Sequence, residues 1–295
     1  MANPTMGYAR KVGIGATSTV DQQLQFMSCG IGKNQTHLQD DAMRGYRGRP
    51  AVSTVEGTYT VGGNLDLEPR PDELVVLLPW ILGGNASGTT FPLAETVPER
   101  YLTIDKGADI YTYAGCKVNR ATFRSSAGNQ KLTLSMDVQG TTETGGASFP
   151  SIGATLTQLQ PYLHHQLVAT IGGTAYKLDN FELSIDNALM LDRFFNSQTR
   201  INLPEQDRLV TISADFPFRS DESALYGIAV GGVAATWVYT NGNYSITFTT
   251  PKVTAPVEPA VIQNRNGEVV RRINFTARKT DDSTAELTVT NDSTG

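Results

Sequence analysis

Apolar and polar residues alternate with a period of two, and Gly- and Asn-bearing turns break the alternation at short intervals. Leu132, Leu134, Met136 and Val138 fall on one side of an extended segment, with Thr133, Ser135 and Asp137 on the other. Val210, Ile212, Ala214 and Phe216 repeat the arrangement against Thr211, Ser213 and Asp215. Such alternation belongs to half-buried strands and is incompatible with an amphipathic helix. Strands are expected at 109–114, 116–124, 130–139, 167–171, 174–186, 207–216, 225–231, 235–239, 243–250, 268–278 and 283–290. Between them lie turns such as Ala127-Gly128-Asn129, Gly172-Gly173, Asn241-Gly242 and Asn266-Gly267. Many short strands with regular turn signals imply a mainly β chain, a sandwich or barrel.

Upstream, residues 1–52 are weakly periodic and are expected to form an arm with short strands near 10–15 and 23–28. Residues 53–295 are read as the β-sandwich domain. In STVEGTYTVGGNLDLEP, Val55, Tyr59 and Val61 alternate with Thr54, Glu56, Thr58 and Thr60. Leu65 and Leu67 resume the apolar side beyond Gly62-Gly63, where a break or bulge is expected. The segment RPDELVVLLPWILGG carries the one strong helix signal. Pro71 or Asp72 can start it, Asp72 and Glu73 suit the positive end of its dipole, and Gly83-Gly84 stops it. Pro79 requires the helix to be short or kinked, and Leu74, Leu77, Leu78 and Ile81 form a stripe suited to covering a sheet. Residues 85–100 read as a loop, and 253–261 as a Pro-bearing extended connector.

The chain also repeats itself. Lys117-Val118-Asn119 aligns with Lys177-Leu178-Asp179, and 132–138 aligns with 210–216. Two hairpins of one sandwich account for this. Each offers a face of hydroxyls and acids, and these strands carry no lysine or arginine there, although lysine commonly protects exposed strand edges.

Chemistry is sparse. The three histidines, His37, His164 and His165, include an adjacent pair that on a strand would point to opposite sides, which disfavours a metal site. Cys29-Gly30-Ile31-Gly32-Lys33-Asn34 lacks the first glycine and the final Ser or Thr of a phosphate loop. Asp40-Asp41 and Asp281-Asp282 sit in polar turns, and Trp80 and Trp237 in apolar runs, so convergent acids with aromatic platforms are not indicated. No catalytic residue and no cofactor is assigned. Charged residues are 18 % of the chain and the net charge is −5, which argues against a general basic grip on nucleic acid. Arg44, Arg47 and Arg49 form the strongest basic cluster, in a Gly/Pro-bounded loop. Cys29 and Cys116, far apart in a chain whose start lacks a signal-peptide core, are expected to be free thiols. No apolar run reaches the ~20 residues that span a bilayer.

Taken in order, several segments resemble the tail tube proteins of bacteriophages with long, non-contractile tails. A β-hairpin leading through GNLDLEPRPDELVVLLPWILGG into a short helix is similar to their opening unit. YTYAGCKVNRATFRSSAGNQKLTLSMDVQG resembles the next hairpin, and IGGTAYKLDNFELSIDNAL with RLVTISADF the second. NYSITFTTPKV and TAELTVTND fit the closing strands. The resemblance covers roughly 53–139 and 167–291; the first fifty residues and 187–206 match nothing in the family.

What the resemblance implies is a tail-tube-type β-sandwich with a flanking helix, a structural virion protein made in the host cytoplasm and without enzymatic activity. Such subunits close into six-fold rings whose strands form a continuous inner barrel, and the rings stack into a hollow tube. Double-stranded DNA and the tape-measure protein occupy the lumen, and tail terminator and distal tail proteins meet the tube ends. In some members two tandem sandwiches per chain give a trimeric pseudo-hexamer; the length and single helix here favour one elaborated sandwich and six chains. Glu56, Asp66, Asp137 and Asp215 are the candidate lumen-facing acids, because a passage for DNA should not hold phosphates. The 1–52 arm and the 85–100 loop are candidates for contacts between rings. The alternatives are another tube-like virion or secretion-tube component, and a carbohydrate-binding sandwich.

Overall fold

A computed structural model describes residues 6–7, 10–40, 42, 45, 47–48, 54–84, 86–146, 148–152, 159–217, 225, 231–256 and 269–294. The strands are β1 (Lys11–Gly15), β2 (Gln22–Leu24), β3 (Ser28–Cys29), β4 (Gly32–Gln39), β5 (Thr54–Leu67), β6 (Thr90–Pro92), β7 (Arg100–Asp105), β8 (Ile110–Ser126) and β9 (Thr133–Gly140). They continue as β10 (Thr142–Gly145), β11 (Leu167–Ile171), β12 (Thr174–Tyr176), β13 (Asn180–Asp186), β14 (Leu209–Pro217), β15 (Val233–Asn241), β16 (Tyr244–Thr254), β17 (Val270–Arg278) and β18 (Thr288–Asp292). One α-helix, α1 (Leu74–Leu82), follows β5. All described strand pairs are antiparallel, and the sheet does not close on itself.

A broad front sheet runs β3/β4–β5–β9–β8–β13–β14–β17. Its inner face holds a cross-strand row of Leu67, Leu134, Phe123, Leu183, Ile212 and Phe275, all buried. Two smaller layers cover it. One is β2–β1–β7–β8–β10 and the other β12–β11–β15–β16–β18–β6. Between the second layer and the front sheet, the Phe181 ring stands 6.1 Å from Trp237, and Phe123 stands 5.1 Å from Phe248. Two sheets facing each other across such a core make a β-sandwich.

Two long strands belong to both layers. The first part of β8 pairs with β7 and β10, while Lys117–Ser126 pairs with β9 and β13. Gly115 sits at the change of partners with φ of +59°, and a Cβ there would lie 2.5 Å from the Thr141 hydroxyl. Likewise β16 pairs with β18 through Ser245–Thr249 and with β17 through Lys252–Thr254.

The pairing pattern occurs twice. In the first half β1 pairs with β2 and β7, β7 with β8, β8 with β10 and β9, β9 with β5, and β5 with β4. In the second, β11 pairs with β12 and β15, β15 with β16, β16 with β18 and β17, β17 with β14, and β14 with β13. This repeat is longer than the hairpin alignment read from sequence. That alignment matched β8 with β13, which are neighbours in the front sheet; the topology matches β8 with β16.

Helix α1 ends where expected but begins at Leu74 rather than at Pro71 or Asp72. Gly83 caps it with φ of +80° and donates its N–H to the Pro79 carbonyl at 2.9 Å. Leu74, Leu77, Leu78 and Ile81 are buried, and so are Trp80 and Leu82. The Trp80 indole donates to the Cys116 carbonyl at 3.0 Å, and buried Asn187 donates to the carbonyls of Ile81 and Val118. The helix is thereby fixed to β8 at the bend.

Several local expectations differ from the structure. Residues 109–114 and 116–124 form one strand, because the Gly115 kink preserves pairing. Residues 174–186 form two, because the chain crosses from one layer to the other at Lys177–Asp179. The 85–100 loop contains β6, held by buried Phe91 and by pairing with β18. Within the 1–52 segment, Val12 and Ile14 are core residues of a strand paired on both sides. The strand expected at 225–231, and Arg44 and Arg49, lie largely outside the described residues.

Candidate functional site: a polar sheet face and a protruding ribbon

Residues paired across strands point to the same side of a sheet, so register fixes what the outer side of the front sheet carries. One row reads Asp66, Ser135, Thr122, Ser184, Thr211 and Thr276. The next reads Thr133, Arg124, Glu182, Ser213 and Asn274. On the flanks Asn64, Asp137, Arg120 and Asp186 align, as do Ser126, Asn180, Asp215 and Arg272. Three of the four acids singled out from sequence, Asp66, Asp137 and Asp215, therefore share this face.

Each is held by neighbours. Asp66 accepts from the hydroxyls of Ser28 and Ser135. Asp137 accepts from Asn119 and Gln139, both at 2.7 Å. Asp215 accepts from Asn180 at 3.3 Å and faces Arg272 at 3.8 Å. The absence of cations, true of the strands read from sequence, does not extend to the whole face. Arg120 and Arg124 on β8 and Arg272 on β17 lie on it too. Arg120 pairs with Asp186, whose hydrogen bond and charge raise the guanidinium pKa further, and Arg124 pairs with Glu182 at 3.0 Å. The alternation of β8 placed these arginines on the polar side; what sequence could not show was that β8 lies in the middle of the sheet.

Glu56 lies elsewhere. The outer halves of β4 and β5 run past the sandwich as a two-stranded ribbon, exposed on nearly all sides. There Glu56 accepts from Gln35 at 3.1 Å. Leu38 and Val55 face each other across the ribbon, and each is 60 % exposed. A ribbon without a core on either side has little to stabilise it alone. At its base, the free edge of β3 borders a cleft of about 570 Å³ lined by Gln23 to Cys29, Arg10 and Ile104 to Lys106. Met27 stands in it, 53 % exposed.

The 187–206 excursion packs down against the body. Leu189 pairs with Glu205, and buried Arg200 donates to the carbonyls of Leu191 and Val61 and to Gln139. His164 lies in a short 3-10 turn rather than a strand, and its ring bridges the Ser125 hydroxyl and the Leu178 carbonyl. Cys116 is buried, which pushes its thiol pKa up to about 12; Cys29 is partly buried and its pKa is raised by the same cause. Both tryptophans are buried, so neither offers a platform to a sugar. Among the described residues no three or more His, Cys, Asp or Glu side chains group as metal ligands, and no helix is long and apolar enough to cross a membrane.

Comparison with curated proteins gives no match. A family model described as phage tail tube protein matches residues 3–277, most of the chain. The chain belongs to the phage tail tube protein family.

Proposed function

We propose that this structural virion protein assembles into rings of six wall segments, and that the rings stack into the tube through which a long-tailed bacteriophage delivers its DNA. The observation that carries the reading is the outer face of the front sheet. It is broad, flat in chemistry and made of hydroxyls, amides and paired charges. A surface that passes a polyanion should offer no unpaired cations in quantity, since each phosphate contact adds salt-dependent affinity. On this reading Asp66, Asp137 and Asp215 face the lumen, and the tape-measure protein occupies the same space before DNA. Glu56, on the ribbon, belongs to contacts between copies, as do parts of 1–52. Tail terminator and distal tail proteins meet the two ends of the tube, and the subunit is made in the host cytoplasm and acts without catalysis.

Negative-stain microscopy of the purified protein tests the assembly. Stacked rings or filaments with an axial channel are the expected result. Protein that stays monomeric at every concentration and salt would overturn it, and rings that never stack would favour a tail-completion role.

A further inference from the structure

The 187–206 excursion is a hairpin whose tip lies against the ribbon. Its two limbs are joined by backbone bonds from Gln206 to Ala188, from Met190 to Pro204 and from Ile201 to Arg193. At the tip Phe195 and Asn196 take φ of +36° and +63°, a left-handed pair that is unfavourable for phenylalanine. That reversal brings Gln198 beside β5. Resting on the tube reading, we propose that this hairpin is a brace: it fixes the stance of the ribbon on its own subunit, so that the ribbon meets the next copy already oriented.

Strand β9 runs beside β5 only as far as Val61, which lies opposite Gly140. Past that point the hairpin takes over the edge of β5 that β9 leaves. Tyr59 donates its N–H to the Gln198 carbonyl at 2.9 Å, and the Gln198 side-chain amide donates to the Glu56 carbonyl at 3.3 Å. Arg200 donates to the Val61 carbonyl at 3.2 Å. In an unbroken strand Glu56 and Tyr59 would turn their backbone groups to opposite edges. The register shift between Gln35 and His37 sets one more residue on β5 than on β4, which turns the Glu56 carbonyl to the hairpin side. At its base the ribbon is thus held on both edges, by β4 and by the hairpin.

A buried charge locks the brace. The Arg200 guanidinium, in a residue 6 % exposed, donates to the Leu191 carbonyl within the hairpin at 2.7 Å. It also donates to Val61 on β5 and, at 2.9 Å, to the Gln139 side chain on β9. One side chain therefore ties hairpin, ribbon strand and body together, and a buried cation is tolerated only where such bonds satisfy it. The limbs are anchored separately. Leu189 donates its N–H to the Asn119 side chain at 3.0 Å, and Lys117 reaches the Leu203 carbonyl at 3.1 Å and Glu205 at 2.9 Å. Leu189 and Leu203 are both buried. A hairpin rooted in the core thus lends its rigidity to a ribbon that has no core of its own.

Hydrogen exchange at residue resolution on the unassembled protein tests the brace, with Arg200→Met as the variant. In wild-type protein the Tyr59 amide is expected to be protected to the same degree as that of Ile201, which closes the hairpin on Arg193. The variant should speed exchange at both by at least about tenfold, while Leu183, paired on both sides in the front sheet, keeps its protection. Tubes should then need roughly tenfold more protein to form, because the ribbon must be ordered as it docks. Unchanged protection of Tyr59 in the variant, or tubes at the wild-type threshold despite a loosened Tyr59, would overturn the proposal. Should Arg200→Met not fold, or loosen Leu183 as well, wild-type exchange decides. Tyr59 matched to Ile201 supports the brace, and Tyr59 as fast as Val55 at the outer end of the ribbon refutes it. Wild-type protein that never forms tubes removes the tube reading, and exchange still decides whether the hairpin holds the ribbon.

Discussion

At the residue scale, the least ordinary side chain is Glu73, at the N-terminus of α1. It is buried, accepts the Gln25 N–H at 2.9 Å, and has Arg70 3.9 Å away. Burial is the largest influence and raises its pKa from 4.5 to about 7, against the opposing pull of Gln25 and Arg70. Because the folded value is above the unfolded one, the associated stability is complete below pH 4.5 and is lost as pH rises through 7. Unfolding free energy of the unassembled protein should fall by on the order of 2–3 kcal/mol across that window. Glu73→Gln keeps a neutral side chain there and should flatten the slope, which denaturant titrations at pH 5 and 8 would resolve. An unchanged slope would show that Glu73 is not the group responsible. Sequence put Glu73 in the first turn as an acid answering the helix dipole, whereas the helix begins one residue later and Glu73 is its N-cap. It could not show that the chain just past β2 brings the Gln25 N–H to that acid, or that the acid is buried.

Elements were legible in proportion to how locally they are determined. The strand 167–171, the helix and the faces of β9 and β14 follow from period alone. What failed depended on partners. Nothing in Lys177–Asp179 announces that the chain changes layers, and β6 is a strand only because β18 lies beside it. The ribbon is the reverse case. Its alternation is strand-like and it is a strand, yet Val55 has no core to enter, so periodicity pointed Val55 at an interior that the monomer lacks. Leu38→Lys with Val55→Lys should therefore change subunit stability by less than about 0.5 kcal/mol, as exposed substitutions do. The same pair should abolish or shorten tubes if the ribbon docks on another copy. Thermal melts beside electron micrographs separate the two effects, and normal tubes would show the ribbon to be dispensable.

For the whole molecule, sequence disclosed a β-sandwich and its family but misjudged the repeat. The hairpin echo at 115 and 175 matches neighbouring strands, and shared β composition made it conspicuous. The duplication that governs the fold is spread over the whole chain, with different loops in each half, and only the order of pairing exposes it. The charge of the front face is also a property of the whole. Asp137→Lys and Asp215→Lys should leave rings intact and impair DNA ejection in infection assays, because each adds a cation where three arginines are already matched by acids. Full infectivity in both variants would place the lumen elsewhere. The two halves differ most at one point: the first extends a ribbon where the second folds 187–206 flat. A subunit so built offers a projection from one half that the other half does not match. Copies joined through that projection would seat only at set angles, like keyed couplings on a shaft, and an assembly built that way would resist torsion by geometry.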